Sequence, residues 1–60
     1  MAPRRTLHER IVEAETKSAR ALGNFHEADA RGKTAAAERY LETSQRWLDI
    51  ANDLRAREGT

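Results

Sequence analysis

Ala28-Asp29-Ala30-Arg31-Gly32-Lys33-Thr34-Ala35-Ala36-Ala37 lies at the middle of the chain and decides its fold. Helix-forming residues stand on both sides of a single glycine. Gly32 tolerates the left-handed conformation with which helices end, so it reads as the residue just past a helix C-terminus. Thr34 reads as the N-cap of the next helix, its hydroxyl placed to accept a bond from the first turn. A connection of two to four residues makes the two helices antiparallel.

Working outward toward the N-terminus, Leu7, Ile11, Ala14, Ser18, Ala21, Phe25 and Ala28 follow one another in steps of four and three. That rhythm keeps them on one helical stripe. Thr6-Leu7-His8-Glu9 fits a capping box and sets the start. The spacing predicts a first helix over about 6–31. Met1 to Arg5 read as a loose basic arm, because Pro3 and the paired arginines offer nothing to pack. Toward the C-terminus, Ala37, Tyr40, Ser44, Trp47, Ala51 and Leu54 form a second stripe, flanked by Leu41, Leu48 and Ile50. The second helix is expected over about 34–57, within a hairpin spanning 6–58, and 59–60 form a short tail.

Small residues recur every seven positions in both stripes: Ala14, Ala21 and Ala28, then Ala37, Ser44 and Ala51. The larger Ile11, Phe25, Tyr40, Trp47 and Leu54 occupy the alternate positions. Small side chains let two backbones approach, and the large ones fill the adjoining layers. The apolar arc is wider than one partner helix needs. It reaches Val12, Ala19, Leu22 and Ala30 on the first helix, and runs from Ile50 through Trp47 to Leu41 on the second. Ala19 and Gly23 would suit a close crossing. The fold class is therefore all-α: an antiparallel two-helix hairpin that dimerises into a four-helix bundle. The self-association core comprises the two stripes with Leu22, Leu41 and Leu48.

The chain has 60 residues and no cysteine. A domain this small buries little apolar surface and usually leans on disulfides, a metal or oligomerisation. Without cysteine, disulfides and thiolate metal sites are excluded, which leaves oligomerisation. Charged residues make up 35% of the chain, yet the formal net charge is +1. Without Arg4 and Arg5 the body holds nine basic and ten acidic residues. A dedicated nucleic-acid binder shows a clearer positive excess. No stretch has the apolar length of a membrane span, and the start lacks the apolar core of a signal peptide. The expected location is the cytoplasm, and the Ala-, Arg- and Glu-rich usage hints at a bacterial source. Glu13 with Lys17, Glu27 with Arg31, Glu42 with Arg46 and Asp53 with Arg57 are acid-then-base pairs four apart, each adding about 0.2–0.5 kcal/mol to its helix.

The chain offers little catalytic chemistry. Gly32-Lys33-Thr34 resembles the tail of a phosphate-binding loop, but Glu27 stands where the motif needs glycine and a helix, not a strand, precedes it. His8 and His26 lack ligand partners at helical spacing; Asp29 is the acidic neighbour of His26. No nucleophile has a base beside it. Ser18 and Ser44 sit in the seam, where their hydroxyls are expected to bond back to carbonyls of the preceding turn. No cofactor or metal is expected, and the reading is not an enzyme. Tyr40 and Trp47, seven apart, belong to the core of a dimer or, in a monomer, would anchor a protein partner.

In architecture the helical body resembles the Rop family of plasmid RNA-binding hairpins. Those are chains of about this length that dimerise into four-helix bundles through alternating small and large core layers. The resemblance implies a nucleic-acid-binding regulator and carries over no functional residue. Read from the residues, the basic candidates are Arg4, Arg5, Arg10, Lys17 and Arg31. Arg10, Lys17 and Arg31 follow heptad spacing, with Asn24 in the gap, and form one ribbon that could span phosphates. Glu13 and Glu27 interrupt it. Three functional expectations follow: a homodimeric interaction or regulatory protein that binds another protein, a Rop-like nucleic-acid-binding regulator, and a heteromeric inhibitor or antitoxin-like module.

Overall fold

The structure, a computed structural model, describes residues 5–59. Arg4 and Thr60, named above in the basic arm and the tail, lie outside them. Two helices make up the fold: α1, Leu7–Ala30, and α2, Thr34–Glu58. They pack against each other along their length, with no strand among the described residues.

The α1 start follows its capping signal in half. The Thr6 hydroxyl accepts the Glu9 N–H at 3.1 Å, which satisfies one orphan donor of the first turn. Among the described residues, the Glu9 carboxylate makes no return bond. Thr6 is thus the cap, and Arg31 closes the other end, so the helix is one residue shorter at each end than its spacing predicts. Arg5, assigned to a loose arm, pairs with the Glu13 carboxylate.

Gly32 adopts φ +74°, the only positive φ among the described residues. The Lys33 N–H donates to the Ala28 carbonyl at 2.9 Å and the Gly32 N–H to the Asp29 carbonyl at 3.0 Å. These two bonds are the Schellman closure, which consumes carbonyls that the helix end would otherwise leave orphaned. The tightness of that turn corrects the expected cap of α2. The Lys33 carbonyl already accepts the Ala37 N–H at 2.9 Å, so the helical ladder begins one residue before Thr34. Lys33 is the N-cap, without a side-chain cap bond, and Thr34 is the first helical residue. At the other end, the Gly59 N–H donates to the Arg55 carbonyl and closes α2.

The seam between the helices buries Ile11, Ala14, Ser18, Ala21 and Ala28 of α1 against Ala37, Ser44, Ala51 and Leu54 of α2. Most of these are alanine or serine, as the sevenfold recurrence of small residues anticipates. Ser18 and Ser44 face each other at the centre. The Ser18 Oγ lies 3.0 Å from the Ser44 carbonyl oxygen and 3.0 Å from the Ser44 Oγ. Bonding back to their own helices, expected for both, is thereby corrected. The seam is so narrow there that each hydroxyl reaches the opposite helix. It is Thr16 and Thr43, on the exposed side, that bond back, to the Val12 and Arg39 carbonyls. With Ser18 opposite Ser44 and the helices antiparallel, heptad steps set Ile11 level with Ala51 and Phe25 level with Ala37. The layers on either side of the serines thus each match a large residue with a small one.

The molecule is one helix layer deep, 12 Å across its thinnest dimension. Stable domains stack at least two layers around a core. Among the described residues, only Ile11 and Leu54 are large and buried, each contributing about 1.5–3 kcal/mol.

Candidate interaction surfaces

Two side-chain contacts between the helices mark the two broad faces of this layer. On one face the Lys17 ammonium stands 4.5 Å above the centre of the Trp47 ring. Lys17 also pairs with Glu13 at 3.0 Å, and Glu13 holds Arg5 as well. Heptad steps from Lys17 carry Arg10, Asn24 and Arg31 to the same side. A shallow cleft of about 210 Å³ near the turn is lined by Asn24, Arg31 and Tyr40. Another, of about 190 Å³ near the termini, is lined by Arg10, Trp47 and Ile50. This aromatic face therefore sets the basic ribbon of α1 beside Tyr40, Trp47 and Ile50 of α2. The ribbon is partly neutralised: Arg31 pairs with Glu27 at 2.9 Å, as Lys17 does with Glu13. Arg10 makes no ion pair among the described residues.

On the opposite face Arg55 pairs with Glu15 across the seam. His8, Ile11, Glu15 and Arg55 share a shallow depression of about 410 Å³ there. One heptad from Glu15 stands Leu22. One and two heptads before Arg55 stand Leu48 and Leu41. Val12 and Ala19 precede Glu15 and Leu22 by three residues and share their side. This is the aliphatic face, and it takes apolar side chains from both helices. Val12 and Leu48 each remain 47% exposed and Leu22 39%, while Leu41 is half-buried.

The residues assigned to a self-association core thus divide into four sets. Nine fill the seam within one chain, as given above. Leu22, Leu41 and Leu48 lie on the aliphatic face. Tyr40, exposed, and Trp47, half-buried, lie on the aromatic face, while Leu7 and Phe25 are half-buried at the edges of the seam. Phe25 packs on its neighbour His26 with ring centres 5.2 Å apart. Gly23, read with Ala19 as a close crossing, points outward, and beyond its chain neighbours and its own helix backbone nothing lies within 4 Å of where a Cβ would stand. The sequence reasoning missed the Glu15–Arg55 and Arg5–Glu13 pairs. The first could have been found, since Glu15 flanks the α1 stripe at the heptad position that Arg55 occupies beside the α2 stripe.

Among the described residues, no group of three or more His, Cys, Asp or Glu side chains could hold a metal ion. Among the same residues, no helix is long and apolar enough to cross a membrane. No family model, curated protein or solved structure matches the chain.

Proposed function

We propose that this chain is a non-catalytic interaction protein that self-associates through its aliphatic face and presents its aromatic face to another protein. The observation that carries the reading is the exposure of Val12, Leu22 and Leu48 on one side of a molecule one helix layer deep. Apolar side chains gathered from both helices on one side are what a second layer would cover. The aromatic face is less suited to self-association. Its α1 half carries Arg10, Glu13, Lys17, Glu27 and Arg31, and stacking such a surface on itself would desolvate those charges. Tyr40 and Trp47 beside it are the residue types that anchor protein partners.

The test is molar mass in solution, by size-exclusion chromatography with light scattering over a hundredfold range of concentration. The parent chain is expected to run as a dimer. Leu48→Glu should run as a monomer, whereas Tyr40→Glu should stay dimeric. A parent that is monomeric throughout sinks the reading, and so does a dimer broken by Tyr40→Glu but not by Leu48→Glu. A Rop-like nucleic-acid-binding role draws support from the alignment of Arg10, Lys17 and Arg31 beside Trp47. Binding of that kind would weaken steeply with added salt.

A further inference from the structure

The aliphatic face has an internal symmetry that favours one arrangement of two copies. Along α1, the midpoint of Val12 and Leu22 falls at Lys17, one residue from Ser18. Along α2, the midpoint of Leu41 and Leu48 falls between Ser44 and Gln45. The Ser18–Ser44 contact places these two midpoints at one level of the hairpin. We infer that a second copy of this chain covers the face with its ends exchanged, so that α1 lies antiparallel on α1 of the partner and α2 antiparallel on α2. The two-fold axis crosses the hairpin at the serine level.

That arrangement sets Val12 level with the partner's Leu22, and Leu41 level with the partner's Leu48. Glu15, held by Arg55, meets the partner's small Ala19. The other two-fold arrangement keeps both turns at the same end and lays α1 on α2 of the partner. It would set Leu22 beside the partner's Leu41 but Val12 midway between the partner's Leu48 and the partner's Asn52, and Glu15 beside the partner's Leu48. Only the exchanged arrangement gives all four of Val12, Leu22, Leu41 and Leu48 an apolar residue at the same level, and it brings no like charges together at the centre. The area is sufficient. Two helices about 36 Å long and about 10 Å wide present about 720 Å², close to the roughly 800 Å² per partner of a stable interface.

The inference rests on the self-association proposed above, and cysteine cross-linking separates the two. The chain has no cysteine, so Gln45→Cys supplies a single thiol next to the inferred axis. Under non-denaturing air oxidation it should form a disulfide-linked dimer about a hundredfold faster than Arg39→Cys, on the outer edge, because thiols held in one complex meet at millimolar effective concentration. Leu41→Cys mixed with Leu48→Cys should give the mixed disulfide and guards against loss of folding in the first variant. A chain that is dimeric by light scattering, yet cross-links only when Ala19→Cys is mixed with Gln45→Cys, overturns the exchanged arrangement alone. A monomer overturns the self-association reading itself.

Discussion

Ser18 and Ser44 hold each other across the helix seam through two hydrogen bonds of 3.0 Å. Ser18 has one hydroxyl proton. When that proton goes to the Ser44 carbonyl, the Ser44 hydroxyl must be the donor to Ser18 Oγ. Both side chains are then satisfied, and no buried side-chain N or O atom among the described residues lacks a partner. Ser18→Ala would leave the Ser44 hydroxyl buried without its acceptor, at a cost of about 1–3 kcal/mol. The double change Ser18→Ala with Ser44→Ala should cost clearly less than the two single changes together. Urea unfolding at fixed protein concentration measures the cycle, and strict additivity would contradict the paired arrangement.

The two threonines near the helix starts should behave differently. Thr6→Ala removes the bond to the Glu9 N–H and is expected to cost about 1 kcal/mol. Thr34→Ala removes no cap bond and places a better helix former in the first turn, so it should be neutral or slightly stabilising. Thermal melts of the two variants side by side check this. A loss at Thr34 equal to that at Thr6 would restore Thr34 as a cap.

Glycine replacement should show the same contrast. Alanine at Gly32 must adopt φ near +74°, which costs roughly 1–2 kcal/mol and loosens the turn. Alanine at Gly23 meets open space in mid-helix and should stabilise the chain by about 0.8–1.0 kcal/mol. Chemical denaturation of the two variants settles the signs. A destabilising Gly23→Ala would mean that something packs on that outward side.

Lys17 over Trp47 provides an optical readout. Lys17→Ala removes the ammonium 4.5 Å from the ring centre and should cost about 0.5–1 kcal/mol. It also strips an aliphatic stem from the indole, so tryptophan emission should shift to longer wavelength. Emission unchanged in both position and intensity would mean that the lysine does not cover the ring in solution.

The hairpin itself was legible in the sequence, because Gly32 and two uninterrupted heptad stripes leave few other solutions. The seam residues followed from the same rhythm. The first residue of α2 was as expected, but its cap was displaced by one residue, since Thr34 carries the composition of a cap while the tight closure at Ala28 and Lys33 leaves Lys33 in that place. The serine hydroxyls were misdirected for a related reason. Local bonding is what a single helix offers, and only the close approach of the second helix supplies a better acceptor. The division of the wide apolar arc into two opposite faces was not legible. Leu41 and Tyr40 are adjacent in sequence and part company only when the pairing register sends one to each side of the layer. The acidic partners of the basic ribbon were visible as helical pairs, but the position of that ribbon beside Trp47 was not.

The single-layer depth has a kinetic consequence. Along their whole length α1 and α2 each have a flank bordered by solvent, so one chain holds no backbone far from water. Amide exchange in an isolated copy would then be fast and nearly even, with little distinction between centre and ends. Covering the aliphatic face would slow exchange most at the middle turns.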